Sequence, residues 1–249
     1  MSMIRVTLLA VFVINIASVF AQDDPAAKNI FRGMYIEPKA GKVKQLERGL
    51  ADHMVKHHPA DGWQIMVWSV ETGKRVGQYF YHSTAHSWED FDTRVVNPGD
   101  DTHWEKYVIA YTEKVGPNEF WRSLPDISMS NEKEVNKANV NLYHIRAGGQ
   151  KDFIEFMVKL KPALQETDDP YNYSVYIKES GGYVPVISID SYMEGWKDME
   201  PFSTDVYEAM ANKYGEDEAS SMFDKVYATI KWVDNEIVTF RPDLSTQME

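Results

Sequence analysis

Histidines are distributed unevenly along the chain, and their spacing is the first indication of chemistry. Six of the seven fall in the first half of the sequence: His53, His57, His58, His82, His86 and His103. His53 and His57 are four residues apart, which places two imidazoles on one face of a helix, where neutral rings can share a metal ion. Histidines near the end of a helix are also favoured by the helix dipole, without any ligand. We therefore predict no metal site, with His53 and His57 kept as the alternative.

The alternation of side chains along two predicted strands indicates a second set of candidate site residues. Polar and apolar side chains share one face of each strand, which is typical of an interior that binds a small molecule. We predict that this interior is formed by Gln78, Phe80, His82, His86, Ser188 and Asp190. The catalytic residue is unknown, and His82 is the best single candidate because it lies on the same strand face as Gln78 and Phe80. The alternative is a histidine at a strand end that faces water.

These candidates lie in a segment that the chain contains twice. Adding 108 to the residue numbers converts Trp63–Gly73 into Tyr171–Gly181 and carries Trp88 onto Trp196. The two copies share eleven identical residues without a gap. Such self-similarity indicates the repetition of one supersecondary unit. We expect the recurring Trp88 and Trp196 to be buried anchors for a short helix.

Each copy predicts the element order β-α-β-β-α-β. A strand precedes a helix over residues 42–57, in which Val43, Leu46, Leu50 and Met54 share one face. Two β-rich runs around a Thr-Gly pair then predict a hairpin, followed by a helical segment and a last strand. The predicted organisation is a signal peptide over residues 1–21, a first repeat over 22–128, a linker over 129–138 and a second repeat over 139–249. The second repeat carries a helical insertion near residues 202–218.

The fold follows from this order and from the faces of the hairpins. A β-α-β-β-α-β unit is the ferredoxin-like module, whose sheet has helices on one face only. Both faces of the first predicted hairpin are apolar, so the second face also needs cover. We predict an α+β fold in which the antiparallel sheets of two ferredoxin-like repeats pack into one α+β barrel. With Tyr-x5-Gly before each first helix (Tyr35 to Gly41, Tyr143 to Gly149), the chain resembles the dimeric α+β barrel superfamily, with both halves of the usual dimer in one polypeptide.

That resemblance covers nearly all of residues 30–241 and has functional implications. The superfamily includes antibiotic-biosynthesis-type monooxygenases, NIPSNAP-like proteins, stress-responsive barrel proteins and chlorite dismutases. One activity that it implies is that of an oxygenase or a lyase. Such an enzyme would work either without a cofactor or with haem or a metal ion. The sequence has no strand-borne Asn-x-Trp-His arrangement, so the Trp, His and Asn of the monooxygenase branch do not transfer to it. The cofactor, if the protein has one, is unknown from the sequence. Haem and a transition-metal ion are the alternatives that the resemblance offers.

The first residues predict export. Arg5 precedes an apolar run over residues 6–20, and Val19-Phe20-Ala21 is typical of a signal-peptide cleavage site. A membrane anchor is the alternative, but a spanning helix needs roughly 20 apolar residues. We expect a periplasmic or extracellular protein, cleaved near Ala21 and without a membrane span in the mature chain. Cysteine is absent, so no disulfide stabilises it.

The net charge of the chain and the absence of several sequence motifs exclude some classes of function. A net charge of −12 without a basic stripe argues against a nucleic-acid partner. The sequence lacks a nucleophile elbow, a zinc-protease helix motif and a dinucleotide fingerprint. The leading interpretation is an exported barrel, monomeric or homodimeric, that binds a small, partly apolar ligand in an aromatic-lined interior. The alternatives are the oxygenase or lyase centred on His82, and a structural or protein-interaction module.

Overall fold

The computed structural model describes residues 28–131 and 134–247, which form nine strands and six helices. The predicted signal peptide lies outside these described residues. The strands are β1 (Ile30–Pro38), β2 (Ile65–Val70), β3 (Tyr79–Ser83), β4 (Thr112–Val115), β5 (Glu119–Ser123), β6 (Lys137–Ile145), β7 (Tyr173–Ser180), β8 (Val186–Met193) and β9 (Ile230–Phe240). The helices are α1 (Val43–His57), α2 (Trp88–Thr93), α3 (Asp100–Tyr107), α4 (Gln150–Leu164), α5 (Val206–Tyr214) and α6 (Glu216–Thr229).

Eight of the strands form a closed antiparallel barrel. Their order around the ring is β3-β2-β9-β6-β8-β7-β5-β1, and pairing of β1 with β3 closes it. Each half of the chain supplies four adjacent strands, and the halves join at the β2–β9 and β5–β7 edges. β4 pairs with the far end of β1, on the same edge as β5. Closure leaves the eight barrel strands without an unpaired edge, which removes a template for aggregation.

The strands bury their two faces against different partners. Because side chains alternate along a strand, one set points outward to the helices and the other points into the barrel. In the first half, Ile65 and Val67 of β2 pack with Leu46 and Leu50, which repeat along one face of α1. Burying such a side chain contributes about 1.5–3 kcal/mol. The helices therefore cover the outside of the barrel and leave its lumen as a separate compartment.

Two glycines fix how the halves meet. Gly73 and Gly181 have positive φ angles of 84° and 94°, in the turns that follow β2 and β7. A Cβ atom on Gly73 would lie 2.5 Å from the carbonyl oxygen of Asn235, and one on Gly181 would lie 2.1 Å from that of Asn118. Each turn thus packs directly on the backbone of the other half. Only glycine combines that backbone conformation with so close an approach.

Several predicted boundaries differ from the structure. Residue 137 already belongs to β6, and Met129 forms an isolated bridge with Tyr173, so both ends of the predicted linker belong to the sheet. The last strand of the first half is interrupted between β4 and β5, where Pro117 has no N–H to donate. The predicted insertion contains α5. In the part of the chain that the structure describes, no helix has the length and apolar character needed to cross a membrane.

Trp88 and Trp196 are not the buried anchors that their recurrence predicts. Trp88 begins α2 and is 42% exposed, while Trp196 lies in a short 3-10 turn and is 51% exposed. Both segments lie at the periphery of the barrel.

Tyr35 and Tyr143 are matched by the ungapped alignment, but they lie on different faces of the sheet. Tyr35 lines the lumen, whereas Tyr143 packs against the outer core, so the ungapped alignment slips at the first strand of each half.

Candidate functional site

The barrel encloses a cavity of about 320 Å³. Its wall is largely aromatic and aliphatic, with a few polar groups placed among them: Phe31, Gly33, Tyr35, Met66, Trp68, Phe80, His82, Trp121, Val135, Ala138, Val140, Leu142, Tyr176, Ser188, Asp190, Tyr192, Glu236 and Val238. Gly33 lets the ring of Phe80 pack against the β1 backbone, because a Cβ atom there would lie 2.5 Å from that ring. The volume is at the lower end of the range for small-molecule sites.

Asp190 is the polar group of the cavity that is best suited to exchange a proton. Its carboxylate accepts a hydrogen bond from the hydroxyl of Ser188, two residues earlier on β8. Burial raises the pKa of Asp190 to about 7; the charge of Glu236 acts in the same direction, and the Ser188 hydrogen bond opposes both. A carboxyl group with that pKa is present in both forms near neutral pH. It can donate a hydrogen bond, accept one, or take a proton from a bound molecule.

Two tyrosines extend the wall that carries Asp190. The hydroxyl groups of Tyr176 and Tyr192 lie 3.0 Å apart, within hydrogen-bonding distance. Burial raises the pKa of both phenols, and the charge of Asp190 contributes to each shift. Both therefore stay protonated at neutral pH and can act as hydrogen-bond donors. The β7–β8 wall is consequently the polar side of the cavity.

His82 occupies the opposite wall, because β3 and β8 are four positions apart in the ring of eight strands. Its Nδ1 donates to the carbonyl oxygen of Ser83 at 2.8 Å, and its Nε2 accepts from the indole N–H of Trp68 at 3.2 Å. These contacts specify the neutral tautomer with the proton on Nδ1. Burial lowers the pKa of His82 to about 4, against a smaller opposing effect of the Ser83 hydrogen bond. With both ring nitrogens engaged, His82 orients Trp68 and presents no free lone pair.

A buried ionic network supports the third wall. Glu236 of β9 is 3% exposed and accepts hydrogen bonds from the Tyr35 hydroxyl at 2.6 Å and from Arg75 Nε at 2.9 Å. The Arg75 guanidinium lies over the Tyr35 ring, 3.8 Å from its centroid. Burial, and then the charge of Glu236, raise the pKa of Tyr35 well above its usual value. The phenol therefore remains a donor, and the carboxylate charge is neutralised by Arg75.

A second carboxylate occupies the corresponding place in the other half. Glu119 of β5 accepts from Lys178 Nζ at 2.7 Å and from the indole N–H of Trp121 at 3.2 Å. Sequence reasoning did not identify Glu236, which lines the cavity, or Glu119, which is hydrogen-bonded to the cavity residue Trp121. A signal existed, because the dipeptide Asn-Glu occurs both as Asn118-Glu119 and as Asn235-Glu236, with the two glutamates in the last strands of the two halves. Their partners could not be read from the sequence, because they come from distant strands.

The structure brings together four of the six predicted ligand-binding residues. Phe80, His82, Ser188 and Asp190 line the cavity, and their binding role remains a prediction. Gln78 does not line it, because β3 begins only at Tyr79 and the Gln78 amide contacts Glu37 instead, at 3.4 Å.

His86 also lies outside the cavity. It follows the end of β3, so the alternation along that strand does not extend to it. Its ring stacks on Trp63 with centroids 3.6 Å apart, and its Nδ1 lies 3.7 Å from Asp90. His53 and His57, the alternative metal ligands, lie on α1 and are likewise remote from the lumen.

Haem, which the resemblance raised as a cofactor, does not fit the residues of this cavity. His82 is the one histidine among the described cavity residues, and its two nitrogens are engaged by Ser83 and Trp68. No imidazole lone pair is therefore directed into the lumen as an axial ligand. The polar side chains of the cavity are hydrogen-bonding groups, and Asp190 is the one whose pKa is raised to about 7.

The fold and the enclosed lumen define an α+β barrel with an internal cavity. No protein-family model matches the chain, and no curated protein sequence matches it. Solved structures do match it over both halves. An anthrone oxidase-like protein is 12% identical with a TM-score of 0.54, covering 90% of this chain and 95% of its own. A monooxygenase-like protein from Lactobacillus acidophilus is 9% identical with a TM-score of 0.52, covering 86% and 94%.

A third similar structure is a monooxygenase-like protein from Fusobacterium nucleatum. It is 12% identical with a TM-score of 0.53, covering 86% of this chain and 93% of its own. The likeness to these three structures confirms the α+β barrel fold that the resemblance predicted. At this level of identity the likeness establishes the fold, a mixed α+β arrangement around an eight-stranded antiparallel barrel.

Proposed function

We propose that the barrel binds a small, largely apolar molecule in its lumen and recognises one polar group of that molecule through Asp190. The observation that carries this proposal is a cavity of about 320 Å³ with an aromatic wall and one carboxyl group of pKa about 7. Pockets of this kind take their affinity from apolar contact and their orientation from a few fixed polar groups. The lumen has both parts.

The polar wall favours a neutral ligand with a hydroxyl or carbonyl group. Protonated Asp190 donates to a carbonyl, ionised Asp190 accepts from a hydroxyl, and the phenols of Tyr176 and Tyr192 lie on the same wall. An anionic ligand would be disfavoured beside ionised Asp190 by like charge. Opposite, the rings of Phe31, Phe80 and Trp68 offer edges and faces for an aromatic ligand. We therefore infer an aromatic alcohol or ketone as the ligand class.

Binding of 1-naphthol to the full mature chain, measured by calorimetry, tests this function. Ala138 faces the lumen and is 3% exposed, so Ala138→Phe fills the cavity and should abolish binding. Val55→Phe is the matched control, because Val55 is 75% exposed on α1 and far from the lumen. Equal binding by Ala138→Phe and the wild type would show that the lumen is not the binding site.

Oxygenation without a cofactor is the second candidate function. It is favoured by the names of the structural neighbours and by Asp190, which can take a proton from an acidic C–H at neutral pH. With anthrone as the probe, an oxidase would consume one O₂ per molecule and release anthraquinone and water. Oxygen uptake that is lost in Asp190→Asn would support it. Binding without uptake would leave the protein a carrier.

We also propose the finer assignments that the sequence indicates. The four strands of each half lie next to one another in the ring, which is consistent with two ferredoxin-like repeats. The N-terminal apolar run supports export to the periplasm or the exterior, with cleavage near Ala21. Mass spectrometry of protein recovered outside the cytoplasm checks the cleavage. Gel filtration with light scattering distinguishes monomer from homodimer.

A further inference from the structure

Three histidines meet on the outside of the barrel, between α1 and α3. His53 and His57 lie one turn apart on α1, and His103 lies on α3. Their ring centroids form a nearly equilateral triangle with sides of 5.0, 5.1 and 5.4 Å. One ring nitrogen from each lies within 4.8 Å of the other two. We call these residues the α1–α3 histidine triad.

The triangle has the dimensions of three imidazoles around one metal ion. With metal–nitrogen bonds of about 2.05 Å, tetrahedral geometry places ligand nitrogens about 3.3 Å apart and ring centroids about 5.1 Å apart. The Nδ1 atoms of His53 and His103 are 3.2 Å apart, and the ring separations agree with the expected value. The nitrogens of His53 and His103 thus have the spacing of two ligands of one ion, and the ring of His57 lies beside both.

Asp100 orients the most buried member of the triad. The Nε2 atom of His53 lies 3.3 Å from a carboxylate oxygen of Asp100, at the start of α3. A proton on Nε2 satisfies that contact and leaves the Nδ1 lone pair directed toward His103. A carboxylate that holds the outer nitrogen of a ligating histidine is the usual support of a zinc site. Arg94, 3.7 Å from the other oxygen of Asp100, holds that carboxylate in place.

His58 is a less suitable ligand, although it also lies close to His53 and Asp100. Its Nδ1 donates to the carbonyl oxygen of Trp63 at 2.7 Å, and its Nε2 faces the Tyr81 hydroxyl at 3.4 Å. Both ring nitrogens are thus engaged. By contrast, Nδ1 of His57 is buried and makes no hydrogen bond within the described residues. This nitrogen, beside those of His53 and His103, is available to bind a metal ion.

Hydrogen bonding alone explains only part of this arrangement. In a metal-free chain, Lys56 Nζ, 3.3 Å from His103 Nε2, donates to it, and His103 donates from Nδ1 to His53. That relay accounts for one short contact but leaves His57 unexplained. For Nδ1 of His103 to bind an ion, the proton on that ring would have to lie on Nε2 and the exposed Lys56 side chain would have to turn to solvent. The change requires one tautomer exchange and one surface rotation.

We propose that His53, His57 and His103 form a binding site for one divalent transition-metal ion, with Asp100 supporting His53. Imidazole ligands favour zinc, copper and nickel over magnesium or calcium. Three protein ligands leave a fourth position for water or an external ligand. The site is independent of the lumen, because the triad lies on the helical layer outside the sheet.

The second half of the chain indicates which substitution of a triad histidine is suited to a test of this site. The eleventh and fifteenth residues of the fifteen-residue α1 are His53 and His57; in α4, which has the same length, they are Leu160 and Leu164. Both leucines pack in the outer core. His57→Leu therefore copies a residue that the equivalent helix already accommodates, and the variant should fold.

The experiment is a titration of tag-free mature protein with Zn²⁺ by calorimetry and with Co²⁺ by visible absorbance. We expect one ion per chain and the intense bands of tetrahedral Co²⁺. His57→Leu and His103→Gln should each weaken binding at least about 100-fold, and Asp100→Asn about 10–100-fold as a supporting residue. His144→Gln is the control, since His144 lies in β6 and pairs with Asp234 at 3.2 Å.

Saturable binding that the control leaves unchanged and that His57→Leu removes supports the site. Circular dichroism of each variant confirms that it is folded. Absence of saturable binding at millimolar Zn²⁺ would overturn the proposal. So would binding that survives in both His57→Leu and His103→Gln, or that is lost in His144→Gln, because the ion would then be held elsewhere.

Discussion

Asp190 couples the stability of the barrel to pH, and replacing it with asparagine removes that coupling. The folded chain holds the pKa of Asp190 at about 7, whereas an unfolded aspartate has a pKa near 4. Between those values the folded state binds the extra proton, so the free energy of unfolding falls as pH rises. A pKa difference of about 3 corresponds to at most about 4 kcal/mol, of which about 2.6 kcal/mol falls between pH 5 and pH 8. Because the effective dielectric constant of a protein interior is higher than that of a dry medium, we expect a smaller value of roughly 2 kcal/mol.

The assay is urea unfolding of the wild type and Asp190→Asn at pH 5 and pH 8, at one ionic strength. The wild type should lose roughly 2 kcal/mol more than the variant between the two pH values. Asparagine keeps the size of the side chain and an acceptor for Ser188. Asp52→Asn, at an exposed position on α1, controls for the loss of a solvated carboxylate and should follow the wild type. Parallel pH profiles for the wild type and Asp190→Asn would refute the assignment of a raised pKa to this group.

Two further predictions concern packing. Trp121→Ala should cost about 3–5 kcal/mol because the indole is 8% exposed, whereas Trp88→Ala and Trp196→Ala should each cost less than about 2 kcal/mol. Denaturant midpoints of the three variants check this order, and equal losses would mean that Trp88 and Trp196 are buried in solution. Either half expressed alone should aggregate or self-associate, because the β2–β9 and β5–β7 edges and the lumen face are then exposed. A monomeric half with cooperative unfolding would contradict the closed barrel.

The sequence alone predicted those features of the site that depend on residues close together in the chain. Side-chain alternation has a period of two, and that period alone placed Phe80 with His82, and Ser188 with Asp190, on one face of their strands. The spacing of His53 and His57 likewise placed two imidazoles on one face of α1. Both inferences depend on residues that are near neighbours in the chain. They fail where an element ends, as at Gln78 and His86, because the period ends with the strand.

Tertiary structure decided which groups act together. Glu236 accepts hydrogen bonds from Tyr35 and Arg75, which are 201 and 161 residues away in the sequence. The rings of His53 and His103 are in contact although 50 residues separate them. Closure of the barrel also set the chemistry of each group. It buried Asp190 enough to raise its pKa to about 7, and it buried His82 enough to lower its pKa to about 4. Those outcomes depend on the dielectric surroundings and on partners supplied by other elements, and local sequence patterns contain neither.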